Sequence, residues 1–452
     1  MSMRPLVRPP LRSTLYLAFS FAAAAAVGAL FLWLPWMHRG KLSFLDALFT
    51  ATSAVCVTGL TVVNTATTFT FGGKVVILTL IQLGGLGIMT FSTLFFVLMG
   101  RTVPVGESLT LKESFAPYPG VDLKPLLLTI VAYTLFTEAL VTLLLWPAFG
   151  EGFSPEGFFH ALFHAISAFC NAGFSDLPQG LSPYKEAFYL PAVIALAILA
   201  GNTGFPIVFE VFHRLVLRQR RRWSLHTRLT LTVHGGLILL GALLFLIFEG
   251  NRAFSGLSLP QKLLNAFFLS ISSRTAGFSL VDLSRFGEVS LYVLIFLMFI
   301  GACPGSTGGG IKTTTFGVLA SSVISRLRGY PQPTVFRRTI PQDLVFKALT
   351  LAALYAFTIY ISQFLLILGA PSRAFAASGT EFLARLFESV SALGTVGLST
   401  GITPQLSPWA KGVIIGTMYV GRVGVLSLAI LLTGLSSRPK EFYYPKEEVL
   451  LG

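Results

Sequence analysis

The chain has 452 residues, of which 54% are hydrophobic and only 12% charged, with a mean hydropathy of +0.75. Soluble domains carry about 25% charged residues, so most of this chain belongs in lipid; its apolar runs are long and continuous, which does not fit the alternating strands of a β-barrel. The net charge is +14, but the basic residues gather in alternate loops, a mark of membrane topology rather than of nucleic-acid binding.

Eight apolar segments are predicted spans: Leu15–Pro35, Val75–Gly100, Pro125–Phe149, Ala187–Phe209, Leu229–Phe248, Val289–Ile311, Ala348–Pro371 and Gly412–Ser436. The first is as long as a span and no clear cleavage site follows it, so it reads as a span and not as a signal peptide. Both ends and the even-numbered loops hold 21 Lys and Arg, against 11 in the other connections. That asymmetry predicts cytoplasmic termini in a multi-pass protein of the cell membrane. The run Arg218–Arg222 is its strongest marker; it would also suit anionic lipid.

Each odd-numbered connection carries an apolar stretch too short to span, followed by a glycine. The stretches 46–60, 160–174, 264–278 and 384–398 align without gaps on Gly59, Gly173, Gly277 and Gly397, which lie 114, 104 and 120 residues apart. One unit of span, half-helix, glycine turn and span therefore occurs four times, over 1–110, 111–222, 223–340 and 341–452. The predicted fold class is an all-α membrane protein whose four re-entrant units surround a pseudo-four-fold central pore.

A half-helix that enters lipid and returns as extended backbone survives only in protein or beside a watery cavity. Four such backbones round one axis would present rings of carbonyls that replace a cation's hydration shell, and glycine permits the dihedrals this requires. The half-helices would also aim negative C-terminal ends at the axis. The candidate filter is Val57-Thr58-Gly59-Leu60, Asn171-Ala172-Gly173-Phe174, Thr275-Ala276-Gly277-Phe278 and Thr395-Val396-Gly397-Leu398. Each resembles a degenerate Thr-Val-Gly-Tyr core of potassium-channel filters, and potassium in the filter is the only metal expected.

The last span of each unit holds a small-residue patch: Gly84–Gly87, Gly201–Gly204, Gly301–Gly310 and Gly421–Gly424. The first two read as close helix packing. The third has five glycines and a proline in ten residues and should break its helix. Arg422, the lone charge of its span, invites a functional reading, with a structural arginine bonded to broken-helix carbonyls as the alternative. Lys312 reads as a snorkelling residue at the cytoplasmic end of that loop. Glu138 reads as a bond to a neighbouring helix, with ion coupling as the alternative. His164 reads as a packing histidine. Arg274 would buttress its turn or hold the outer mouth. Cys56, Cys170 and Cys303 have neither disulfide nor metal spacing and read as packing residues.

With these motifs the chain resembles the superfamily of potassium transporters that includes KtrB and TrkH. The four-fold pattern covers Leu15 to Ser436, joined by QLGGLG at 82–87, GACPGSTGGGIKTTT at 301–315 and Gly421-Arg422-Val423-Gly424. The GGGIKTTT run and eight-span length are closer to KtrB, since TrkH relatives carry an extra N-terminal pair of spans. The resemblance implies potassium uptake through the filter, with preference for potassium because Gly59 is kept. It implies an intramembrane gate formed by Gly301, Pro304, Gly305, Ser306, Thr307, Gly308, Gly309, Gly310 and Lys312, facing Arg422. It implies a homodimer and a cytosolic nucleotide-binding ring of the KtrA or TrkA type, docked on 213–228, 312–347 and the C-terminal tail. No cofactor is expected in this chain; potassium is the substrate and sodium a candidate activator. A secondary symporter with a midplane site is the alternative, and would need several intramembrane acids or broken helices in paired halves. No nucleophile–base set, metal cluster or Walker loop suggests an enzyme.

Overall fold

Serine at the head of the first three short apolar stretches starts a helix, because its hydroxyl satisfies an orphan N–H of the first turn. Ser43 Oγ accepts from Asp46 N at 3.1 Å, Ser154 Oγ from Gly157 N at 3.1 Å, and Ser258 forms a capping box with Gln261. The computed structural model describes residues 11–87, 123–149, 154–215, 223–369 and 379–433. The ends, Arg218–Arg222 and residues 88–100, which carry parts of the topology and docking expectations, lie outside them.

In chain order the helices of the first unit are α1 (Leu11–Trp33), α2 (Phe44–Val55), the short α3 (Thr65–Thr68) and α4 (Phe71–Leu86). The second has α5 (Leu123–Leu145), α6 (Pro155–Phe169), α7 (Tyr189–Asn202) and α8 (Phe205–Leu215). The third has α9 (Leu225–Glu249), α10 (Leu259–Ser272), α11 (Glu288–Phe299) and α12 (Thr313–Leu327). The fourth has α13 (Gln342–Leu368), α14 (Gly379–Leu393), α15 (Pro408–Val423) and α16 (Val425–Thr433). A two-stranded hairpin, Thr334–Val335 with Arg338–Thr339, closes the third unit.

Four described helices are long and apolar enough to cross a membrane: Leu15–Trp33, Leu127–Ala148, Leu225–Glu249 and Gln342–Leu368; the bent pair α7–α8 would make a fifth. They present exposed apolar side chains such as Phe19, Phe136, Leu239 and Phe357. The second segments behave differently from the continuous spans expected. Helix α4 ends at Gly87 (φ 82°), α7 and α8 meet at 95° across Thr203–Gly204, α11 gives way to a loop at 300–312, and α15 ends at Gly424 (φ 100°). The break expected in the third unit recurs in the others.

The first two patches nevertheless pack closely as well. A Cβ on Gly84 would overlap Val55 O, one on Gly201 would overlap Phe169 O, and one on Gly421 would overlap Leu393 O. Each glycine thus admits the last carbonyl of its own unit's short helix.

The units close on one another in a ring. Helix α4 packs on α6, α7 on α10, α11 on α14, and α15 back on α2. The apolar cores therefore lie at the joints. Val55, Ile77 and Ile81 cluster with Phe163 and Phe169; Ile194 and Ile198 with Phe268; Leu269 and Leu297 with Phe387; Phe49 with Ile414 and Met418. Lys411 Nζ bonds Asp46 Oδ1 at 2.6 Å and ties the last unit to the first.

Gly201→Ala should lower the thermal midpoint of the detergent-purified protein, because overpacking costs about 1–3 kcal/mol. Gly235→Ala and Gly412→Ala, which meet open space, should hold or raise it by about 0.5–1 kcal/mol of helix propensity. Equal midpoints for Gly201→Ala and Gly235→Ala would refute this packing account.

Candidate functional site

The four short helices end on the ring axis, and the chain turns there in the same way each time. The residue two before each glycine is left-handed: Val57 (φ 55°), Asn171 (φ 59°), Thr275 (φ 75°) and Thr395 (φ 48°). The glycines are left-handed too, at 93°, 69°, 75° and 92°, while the residue between is not. Such φ values are strained for a branched residue and persist only where the surroundings impose them. Alternating hands along extended backbone turn successive carbonyls to one side.

The turns interlock. A Cβ built on Gly173 would stand 2.9 Å from Ala276 O, and one on Gly277 2.5 Å from Val396 O. On Gly59 it would overlap Ala172 O, and on Gly397 it would overlap Thr58 O. The carbonyls of Thr58, Ala172, Ala276 and Val396 therefore form one ring, each lodged against the glycine of the adjacent turn. All sixteen candidate filter residues but the half-buried Gly173 and Gly277 are buried. The arrangement brings the four sequence motifs together.

Serines of the short helices hold the turns from behind, a role that reading the motifs alone missed. Ser53 Oγ accepts from Gly59 N at 3.0 Å, and Ser391 Oγ accepts from Gly397 N at 3.1 Å and donates to Leu398 O at 2.7 Å. Ser167 Oγ donates to Phe174 O at 2.8 Å and Ser272 Oγ to Phe278 O at 2.5 Å. Serine six residues before the glycine in three of four units was the available signal.

Beneath the ring lies the loop 301–312. Asn171 Nδ2 donates to Thr307 Oγ1 at 2.7 Å, and Thr307 Oγ1 reaches Phe169 O and Gly201 O at 3.1 Å. The hydroxyls of Thr275 and Thr395 occupy the positions that a Cβ on Gly308 and Gly309 would need. Three consecutive loop residues thus touch the inner ends of three turns. Phe205 N donates to Gly305 O at 2.9 Å, which anchors the loop to α8.

Three cations bond to carbonyls around this loop. Arg422 Nη1 donates to Thr307 O at 2.7 Å and Nη2 to Gly84 O. Lys312 does not snorkel: its Nζ turns back to Gly308 O at 2.6 Å. Arg274 does not hold an outer mouth: it is fully buried, with Nη2 on Gly301 O at 2.5 Å. Asn202, not singled out from the sequence, donates from Nδ2 to Arg274 O at 2.6 Å, and its backbone carbonyl accepts from Cys303 N.

The remaining polar residues take their places away from the ring axis. Glu138 Oε2 accepts from Gln82 Nε2 at 3.1 Å, a bond between α5 and α4. His164 Nδ1 bonds His160 O at 2.8 Å, and its ring stacks on Phe149. In the loop beyond α6, burial raises the carboxyl pKa of Asp176, but the 2.7 Å bond to His160 Nδ1 and the nearby His164, His160 and Lys74 outweigh it, and the net shift is downward.

Compared with known proteins, residues 19–441 match the family model "TrkH: Cation transport protein". The chain is 36% identical to the "Potassium/sodium uptake protein NtpJ" of Enterococcus hirae, covering 100% of this chain and 99% of that one. It is 37% identical to "Ktr system potassium uptake protein B" of Bacillus subtilis, over 96% of both chains. It resembles the crystal structure of the potassium transporter TrkH from Vibrio parahaemolyticus with a TM-score of 0.74 at 20% identity, covering 96% of this chain and 86% of that one.

Proposed function

The chain belongs to the TrkH family of cation transport proteins, and from that premise we propose that it takes up potassium by channel-like permeation through a four-turn carbonyl filter. The observation that carries this reading is the closed ring of Thr58, Ala172, Ala276 and Val396 carbonyls, set by four left-handed pairs at equivalent positions. Carbonyl oxygens replace water round a cation, and the C-terminal ends of α2, α6, α10 and α14 add their negative dipole ends. The filter comprises the four tetrapeptides 57–60, 171–174, 275–278 and 395–398. Potassium as cargo is supported by the names of the two curated relatives.

In this reading the four units span the bilayer as eight segments, with the filter turns entering from outside and both termini in the cytoplasm. Loop 301–312 is the gate. Ions leaving the filter meet Thr307, Gly308 and Gly309, and Arg422 pins the loop through Thr307 O while adding positive charge to the path. Opening requires the loop to exchange these bonds for others, at a cost that a partner can supply. A cytosolic nucleotide-binding ring would act through the cytoplasmic loops, on a homodimer of this chain.

Gly59→Ser should raise sodium flux relative to potassium in proteoliposomes, because a side chain cannot hold φ 93° without strain and would overlap Ala172 O. An unchanged ratio in Gly→Ser variants of all four glycines would refute the filter. For the topology, impermeant thiol reagents applied outside should label cysteines at Lys185 and Lys411 and spare Arg220 and Lys440; outside labelling at Arg220 would sink it. Deleting part of 304–310, or Arg422→Ala, should raise potassium flux, lower its dependence on the regulatory partner and leave the potassium-to-sodium ratio near normal. Loss of flux in both would show the loop to be structural packing.

A further inference from the structure

The serine or threonine two residues after each turn glycine stands where the chain leaves the ring: Thr61, Ser175, Ser279 and Ser399. In three units its hydroxyl closes the same small turn, accepting from the N–H two residues on. Leu177 N donates to Ser175 Oγ at 3.2 Å, Val281 N to Ser279 Oγ at 3.3 Å, and Gly401 N to Ser399 Oγ at 2.9 Å. The hydroxyl proton then goes to different places. Ser279 gives it to Val281 O of its own loop. Ser399 gives it to Glu388 Oε1 on α14. Ser175 bonds His164 Nε2 on α6 at 2.8 Å; the other ring nitrogen faces the His160 carbonyl and carries its own proton.

His164 and Glu388 hold the same register, nine residues before their glycines, where the other units have Thr50 and Phe268. Both are fully buried behind the turns. Glu388 Oε2 accepts in addition from Thr403 Oγ1 at 2.9 Å, so the carboxyl gathers the loop beyond the fourth turn as well. The glycine contacts run from turn one to two, three, four and back, so turns two and four face each other across the axis.

We propose that His164 and Glu388 are a diametrically opposed pair of positioning residues that set ion preference by bracing the outer ends of turns two and four through Ser175 and Ser399. The inference rests on the filter reading. The adjoining carbonyls, Phe174 O and Leu398 O, are held by Ser167 and Ser391 of the same helices. Each braced turn is thus tied to its short helix from both sides of the terminal filter residue. In the third unit the equivalent serine bonds within its own loop, so that turn is tied to its short helix on one side only, through Ser272. The filter would be four-fold in backbone and two-fold in stiffness. A carbonyl ring discriminates by the spacing it resists giving up, so slackening two opposed turns lets it collapse onto a smaller cation.

The test measures potassium and sodium flux in proteoliposomes of the full chain. Ser399→Ala and Ser175→Ala should each lower the potassium-to-sodium ratio by about threefold to tenfold, the scale of one hydrogen bond, with potassium flux largely kept. Ser279→Ala should leave the ratio unchanged. Glu388→Leu should shift the ratio in the same direction, and combining it with Ser399→Ala should add little, since both remove the Ser399–Glu388 bond. Stabilisation of the purified protein against heat by potassium relative to sodium supplies a second measure for any variant with little flux. An unchanged ratio in Ser399→Ala or Ser175→Ala, or an equal change in Ser279→Ala, overturns the opposed pair. If Gly59→Ser shifts the ratio while these variants do not, only this inference falls; if none shifts it, the filter reading falls with it.

Discussion

Each turn glycine is the socket for its neighbour's carbonyl. This one steric fact fixes how close the four units can come and in what order they meet, since Gly59 admits Ala172 O, Gly173 admits Ala276 O, Gly277 admits Val396 O and Gly397 admits Thr58 O. A second set of sockets, Gly84, Gly201 and Gly421, seats the ends of the short helices against the second helices of their units. Small residues let helices approach where no water drives them together. The cores at the four joints fill the space these contacts define.

The broken second helices follow from the same geometry. A straight helix running on from α11 would leave no chain beneath the ring. The loop at 300–312 instead brings Thr307, Gly308 and Gly309 under it. Breaking a helix frees backbone carbonyls in a medium that offers them no water. Arg274, Lys312 and Arg422 meet that need, each donating to a carbonyl of the loop. Buried cations without carboxylate partners are costly, and here they bring positive charge to the face of a site whose carbonyls suit a cation. Under the proposed function, the ring would attract the ion and the plane below it would resist until the loop moved.

Much of this was legible in the chain itself. Four gap-free copies of one pattern placed the glycine turns, because only glycine tolerates φ near 90° beside another backbone. The loop at 301–310 announced itself by five glycines and a proline, and the short helices by apolar runs too short to span. Arg422 stood out because a lone charge in an apolar span has few bland explanations. These are local signals, carried by residue type and spacing.

Tertiary structure decided what those residues face. Lys312 and Arg274 carry long flexible side chains whose direction no spacing encodes, and both turned inward to carbonyls made available by a loop far along the chain. The breaks at Gly87 and Gly204 were hidden because a glycine that seats a helix and a glycine that ends one look alike in sequence. The pairing of His164 with Ser175, and of Glu388 with Ser399, needed the turn to fold the chain back along its own helix. The sequence by itself determined that there are four equivalent turns; only packing round the axis determined that they close into a ring, because that closure depends on contacts between units about a hundred residues apart, which no local pattern contains.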